Sequence, residues 1–136
     1  MRSSPNSPSV NAPLARHTLI DLHDCDRELL NAPDTLKQLL LEAIRRGHGT
    51  VVTDVFHTFN PHGVTGVVVI AESHVAIHTW PEHGYAALDI FSCGTKLDAE
   101  IIRDWISSGV RASRSASQEI TRPVRRNTES KANENR

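Results

Sequence analysis

The middle of this chain gathers side chains that can attack a carbonyl, take a proton or give one. The apolar run Gly66-Val67-Val68-Val69-Ile70-Ala71 leads into Glu72-Ser73-His74; Ile77-His78-Thr79-Trp80-Pro81-Glu82 follows, and Phe91-Ser92-Cys93-Gly94 closes the stretch. A serine hydroxyl can reach the carbonyl that precedes it through a five-membered ring, and attack there turns an amide into an ester, which leaves far more easily. A histidine can serve as the base in such chemistry. A thiol, with an unperturbed pKa of about 8.5, keeps its proton at neutral pH and can donate it. Taken singly, each residue has an ordinary reading: Ser73 as a strand-end serine, Thr65 as a β-forming threonine, His78 as a half-buried strand histidine, Cys93 as a small buried apolar group. Several such words at set spacings, not any one of them, point to a site.

The histidines invite a second reading, as metal ligands, because His57, His62, His74, His78 and His83 fall in one stretch. At about 3.3 Å per strand residue, His74 and His78 stand about 13 Å apart on one face, whereas zinc reaches each nitrogen at about 2.1 Å. Those two cannot share a metal, which leaves only the His62 and His83 turns for a metal module. No metal is expected.

Elements that position these residues are legible from periodicity. His17 to His23 reads as a first strand. Leu36, Leu39, Leu40, Ala43 and Ile44 recur at helical spacing, with Pro33 suited to the first turn and Gly47 to the stop. Thr50 to Phe59 is a strand of β-branched and aromatic residues, closed by the turn Asn60-Pro61-His62-Gly63. Val64 to Ala71 is a strand apolar on both faces near its end, hence central. His74 to Trp80 and Tyr85 to Phe91 form a hairpin across Pro81-Glu82-His83-Gly84. A second helix runs from its N-cap Asp98 to Ser108, with Ile101, Ile102, Trp105 and Ile106 as its stripe and Gly109 as its stop, and a last strand falls within Val110 to Val124. The order predicts an α+β two-layer sandwich, an antiparallel sheet with helices on one face. Two helices cannot cover both faces of such a sheet, and an uncovered apolar face marks an interface.

Length and charge bound the rest. The 136 residues suffice for one domain, expected over 14–125, between polar tails at 1–13 and 126–136 expected to be disordered. Fifteen basic residues against 16 acidic leave a formal net charge of -1, which makes no electrostatic case for nucleic acid or a membrane surface. The start lacks the apolar core of a secretory signal, no run approaches a membrane span, and two cysteines are too few for a disulfide framework. A soluble cytoplasmic protein is expected. Cys25, between Asp24 and Asp26, sits in an acidic setting that opposes thiolate formation and is assigned no chemical role.

From about Arg16 to Cys93, these words and their spacing resemble the short prokaryotic S-adenosylmethionine decarboxylase proenzymes, which are pyruvoyl-dependent and self-processing. The resemblance implies cleavage between Glu72 and Ser73 into fragments 1–72 and 73–136, with Ser73 becoming the pyruvoyl group that takes the substrate amine as a Schiff base. By the same resemblance His78 is the proton acceptor in processing, Thr65 the hydroxyl that assists ring formation, and Cys93 the proton donor in catalysis. Many relatives carry serine where this chain has Thr65; the hydroxyl is kept and a methyl group restricts its rotamer. Phe59 matches an aromatic that stacks on adenine, and Glu82 an acid that hydrogen-bonds the ribose hydroxyls. The family forms a homodimer of processed heterodimers, an αββα sandwich with sites shared between subunits, and makes the aminopropyl donor for spermidine biosynthesis. Two alternatives stay open: a pyruvoyl-dependent arginine or ornithine decarboxylase built on the same self-cleaving core, and an unprocessed regulatory paralogue.

Overall fold

The computed structural model describes residues 13–124; the tails expected at 1–13 and 126–136 lie, but for Pro13, outside the described residues. Six strands form one antiparallel sheet: β1 (Ala15–His23), β2 (Val51–Thr58), β3 (Val64–Ile70), β4 (Ser73–Trp80), β5 (Tyr85–Cys93) and β6 (Arg114–Arg122). Their order is β2-β3-β4-β5-β1-β6, so β2 to β5 form a meander and β1 lies between β5 and the edge strand β6. Three helices complete the fold: α1 (Arg27–Leu30), α2 (Pro33–Arg46) and α3 (Ala99–Gly109).

The expected helices form for the expected reasons. Pro33 opens α2, where its missing N–H costs nothing, and Leu36, Leu40, Ala43 and Ile44 form its buried stripe. Asp98 caps α3 by accepting from the Ile101 N–H at 3.1 Å, and Ile102 and Ile106 are buried. Ile101, read as part of the stripe, is exposed, and Gly109 is the last helical residue rather than the stop beyond it. Both helices lie over one sheet face, on a core that includes Ile20, Leu22, Val68, Ile77, Leu88 and Ile90. The one-turn helix α1 escaped the sequence reading because four residues carry no period; the Asp26 carboxylate starts it by accepting from the Glu28 and Leu29 N–H groups.

Side chains of alternate residues project from the opposite, helix-free face, among them Val55, Val69, His78, Trp80 and Phe91. Val55, Val69 and Trp80 remain exposed there. Gly66 in β3 is required by a close approach: a Cβ there would lie 2.1 Å from the Phe56 ring. No helix among the described residues is long and apolar enough to cross a membrane.

Candidate active site

The residues singled out by sequence fall at two ends of the sheet. At one end β3 turns into β4 through only two residues, Ala71 and Glu72, with Ile70 paired to Ser73. Two-residue hairpins favour Asn-Gly or similar pairs that accept positive φ. Neither residue here is of that kind, and the positive φ falls instead on Ser73, at 149°. An L-residue rarely adopts such a backbone, which costs about 1–3 kcal/mol and persists only when its surroundings hold it.

Those surroundings are visible. The Cys93 N–H donates to the Glu72 carbonyl at 2.9 Å, and the Ala71 N–H donates to the Thr50 carbonyl at 2.8 Å. The Glu72 carboxylate accepts from the Thr50 N–H at 3.1 Å and pairs with Lys96 Nζ at 3.4 Å. The Thr50 N–H, with Lys96 behind it, holds the Glu72 carboxyl below the usual carboxylate range. Ser73 is paired across the sheet with Ser92, which brings the start of β4 beside Cys93 at the end of β5. Attack of Ser73 Oγ on the Glu72 carbonyl carbon would put negative charge on an oxygen that already faces an N–H, the requirement of an oxyanion site. The junction therefore fits a residue that generates a carbonyl group from its own backbone.

Cys93 is a free, exposed thiol. Cys25 differs in every respect: it is buried in the core, and burial, with the Asp24 carboxylate adding to it, pushes its thiol up to about 11.

The other end of the sheet holds Thr65, His78, Phe59 and Glu82. Thr65 and His78 are register partners on β3 and β4, and Thr65 Oγ1 lies 3.0 Å from His78 Nδ1. Phe59 follows β2, half exposed, its ring edge-on to His57 at 4.7 Å between centroids. Glu82 lies in the single 3-10 turn Pro81–His83 and is paired with His62 Nε2 at 3.0 Å. The loop behind Phe59 is tied down from the core side: the Phe59 N–H donates to the Gly63 carbonyl at 2.8 Å, and the Gly63 N–H to Asn31 Oδ1 at 2.9 Å. Buried Thr79 accepts from the Val64 N–H at 2.9 Å and donates to the Leu30 carbonyl at 2.8 Å.

Ser73 and His78 are not brought together within one chain. They stand five residues apart on the same strand, a separation of about 16 Å at the rise of an extended chain. No side-chain rotation spans that distance, so the Thr65–His78 pair can act at Ser73 only from a second copy. The helix-free face carries an aromatic pair near each end, His74 stacked on Phe91 at 5.5 Å beside Ser73 and Tyr85 on Trp80 at 5.2 Å beyond His78. Tyr85 donates to Asp21 at 2.6 Å, and burial, with that carboxylate, pushes its hydroxyl up to about 12. Among the described residues no three His, Cys, Asp or Glu side chains converge as a metal site would require.

Sequence reading missed the contributions of Thr50, Lys96, Asn31, His62, Thr79 and the Cys93 backbone. All act through contacts distant in sequence, which the local words do not reveal even where, as for Thr79, Cys93 and His62, the residue stands in one of them.

Comparison with known proteins gives concordant results. The family model described as S-adenosylmethionine decarboxylase matches residues 16–123. The S-adenosylmethionine decarboxylase proenzyme of Thermodesulfovibrio yellowstonii is 46% identical over 93 residues, 68% of this chain and 69% of that protein. The proenzyme of Caldicellulosiruptor saccharolyticus is 41% identical over 109 residues, 80% of this chain and 88% of that protein. Among solved structures, the adenosylmethionine decarboxylase of Aquifex aeolicus matches with a TM-score of 0.76 at 34% identity, covering 84% of this chain and 94% of that one.

Proposed function

The chain belongs to the S-adenosylmethionine decarboxylase family, and from that premise we propose that it cuts itself between Glu72 and Ser73 and then decarboxylates S-adenosylmethionine. The observation that carries the reading is the Glu72–Ser73 junction, where positive φ at Ser73 coincides with an N–H donor on the Glu72 carbonyl.

Processing begins with attack of Ser73 Oγ on the Glu72 carbonyl carbon. The new C–O bond replaces the C–N bond, the hydroxyl proton passes to the nitrogen, and an ester with a free amine results. Removal of the Ser73 α-proton then breaks the Cβ–O bond, so that Glu72 leaves as the carboxylate terminus of fragment 1–72. The remaining dehydroalanine tautomerises to an imine, and one water molecule releases ammonia and leaves a pyruvoyl group at the head of fragment 73–136. The Cys93 N–H steadies the charge on the carbonyl oxygen in the first step. His78, oriented by Thr65 Oγ1, takes the α-proton in the second.

A pyruvoyl group supplies an electrophilic carbonyl for the substrate amine and a sink for the electrons released with carbon dioxide. The side chains bind and protonate around it. Phe59 offers a flat exposed face for adenine, and Glu82 offers a carboxylate for the ribose hydroxyls. Cys93 Sγ holds the proton that the substrate carbon must receive once carbon dioxide has left. The product is the aminopropyl donor for spermidine synthesis, made in the cytoplasm.

The assembly is a dimer in which two helix-free faces meet as an αββα sandwich. A two-fold axis through that face sets the Ser73–Cys93 end of one chain against the Thr65–His78–Phe59–Glu82 end of the other. Both halves of each site are then present, and the exposed Val55, Val69 and Trp80 are covered.

The test is the intact mass of purified protein together with carbon dioxide release. Fragments 1–72 and 73–136, the latter with a blocked amino terminus, and release from S-adenosylmethionine are expected. An uncut chain, or faster release from arginine or ornithine, contradicts the proposal.

A further inference from the structure

We propose that Lys96 is a positioning residue for self-cleavage: through its contacts with Glu72 and Thr50 it clamps the scissile peptide in the strained geometry that Ser73 needs. The inference rests on the self-cleavage reading above and concerns a residue outside the Ser73, His78 and Cys93 set.

The contacts form a closed circuit around the bond to be cut. Lys96 Nζ lies 3.4 Å from Glu72 Oε2 and donates to Thr50 Oγ1 at 3.3 Å. The other Glu72 oxygen accepts from the Thr50 N–H, and the Thr50 carbonyl accepts from the Ala71 N–H. Both residues before Ser73 are thereby tied to Thr50, on the connection into β2. The Cys93 N–H holds the Glu72 carbonyl from the other side, and Lys96 itself follows β5 by only three residues. Rotation of the Glu72–Ser73 peptide toward an ordinary φ at Ser73 must break part of this circuit.

Location decides whether such a pair matters. An exposed ion pair contributes little, because water screens it and two mobile side chains must be ordered. Here the Glu72 side chain is only 10% exposed while that of Lys96 is 61% exposed. The carboxylate is therefore held on a mostly covered surface with two protein donors, and Lys96 alone supplies a cationic one. A strained residue keeps its conformation only when its neighbours over-determine it. Lys96 and Glu72 are that determination on the side opposite Cys93.

The test follows cleavage of the full-length chain after cell-free synthesis, from the ratio of fragments to 136-residue precursor with time. Lys96→Met is expected to slow cleavage about tenfold, which corresponds to about half or more of the strain such a residue stores. Lys96→Arg, which keeps the charge, is expected to restore the rate to within about threefold. Glu72→Gln is expected to slow cleavage about as much as Lys96→Met, and the double variant no further, because the two act as one unit. A general loss of folding is separated by melting Ser73→Ala/Lys96→Met against Ser73→Ala, both uncleavable, whose midpoints are expected to agree within about 3 °C. Should Lys96→Met misfold, Thr50→Val, which removes only the hydroxyl end of the circuit, is expected to slow cleavage about threefold. Wild-type cleavage rates in Lys96→Met, additive effects in the double variant, or an arginine variant as slow as methionine would each overturn the clamp. Absence of cleavage in the wild-type chain would instead overturn the self-cleavage reading beneath it.

Discussion

Two chains that are each unable to cut themselves should cut when mixed. Ser73 and His78 stand five residues apart on β4, about 16 Å along an extended strand. A histidine must come within hydrogen-bond reach, about 3 Å, to take a proton, so His78 can serve only the Ser73 of a partner. Co-expression of Ser73→Ala with His78→Ala then allows one competent arrangement: intact Ser73 from the second variant facing intact His78 from the first. Random pairing of equal amounts gives about half mixed dimers, and each mixed dimer holds one complete site and one doubly deficient site. About half of the His78→Ala chains, or about a quarter of all chains, should be cut after Glu72. Each variant expressed alone should remain uncut. Electrophoresis of differently tagged chains reads the result directly, with mass spectrometry to fix the cut. If His78 acted on the Ser73 of its own chain, mixing would yield no fragments at all, and that result would refute both the strand-distance argument and the shared site.

Replacement of Cys93 by alanine is expected to leave cleavage largely intact, since the Cys93 N–H on the Glu72 carbonyl is a backbone group, but to abolish most carbon dioxide release. Misplaced protonation should also leave alanine at the head of the 73–136 fragment, detectable by mass. Phe59→Ala is expected to lower kcat/KM about tenfold to a hundredfold, on the scale of about 1 to 3 kcal/mol for stacking a base on an aromatic ring, and Glu82→Gln to cost less than Glu82→Ala because an amide oxygen still accepts from a hydroxyl. Thr79→Val keeps the shape of a buried side chain but strands the Val64 N–H and the Leu30 carbonyl; urea unfolding of the uncleavable Ser73→Ala chain should show a loss of about 1–3 kcal/mol.

Much of this molecule was legible in its sequence because its elements are locally consistent. The Leu36, Leu40 and Ile44 spacing needs no tertiary information to place α2, and Asp98 announces the start of α3. The hairpin of β4 and β5 follows from its bounding turn, although the single 3-10 turn within Pro81–His83 does not. What stayed hidden depended on contacts between distant residues. The positive φ of Ser73 arises from joining β3 and β4 through two residues that do not favour a hairpin turn, and Ala71-Glu72 reads locally as the end of a strand. His62 meets Glu82, and Lys96 meets Glu72, only once the strands are paired. The distance between Ser73 and His78 was available from strand rise alone. A strand expected to begin at His74 leaves Ser73 outside β4, and that boundary obscured it.

The most direct measurement of the central claim is the intact mass of the purified wild-type chain beside that of Ser73→Ala. The account predicts two wild-type fragments divided after Glu72, with the 73–136 fragment resistant to amino-terminal sequencing, and a single 136-residue chain for the variant. A wild-type chain that stays whole while releasing carbon dioxide from S-adenosylmethionine, or a Ser73→Ala chain still cut at the same bond, would contradict it.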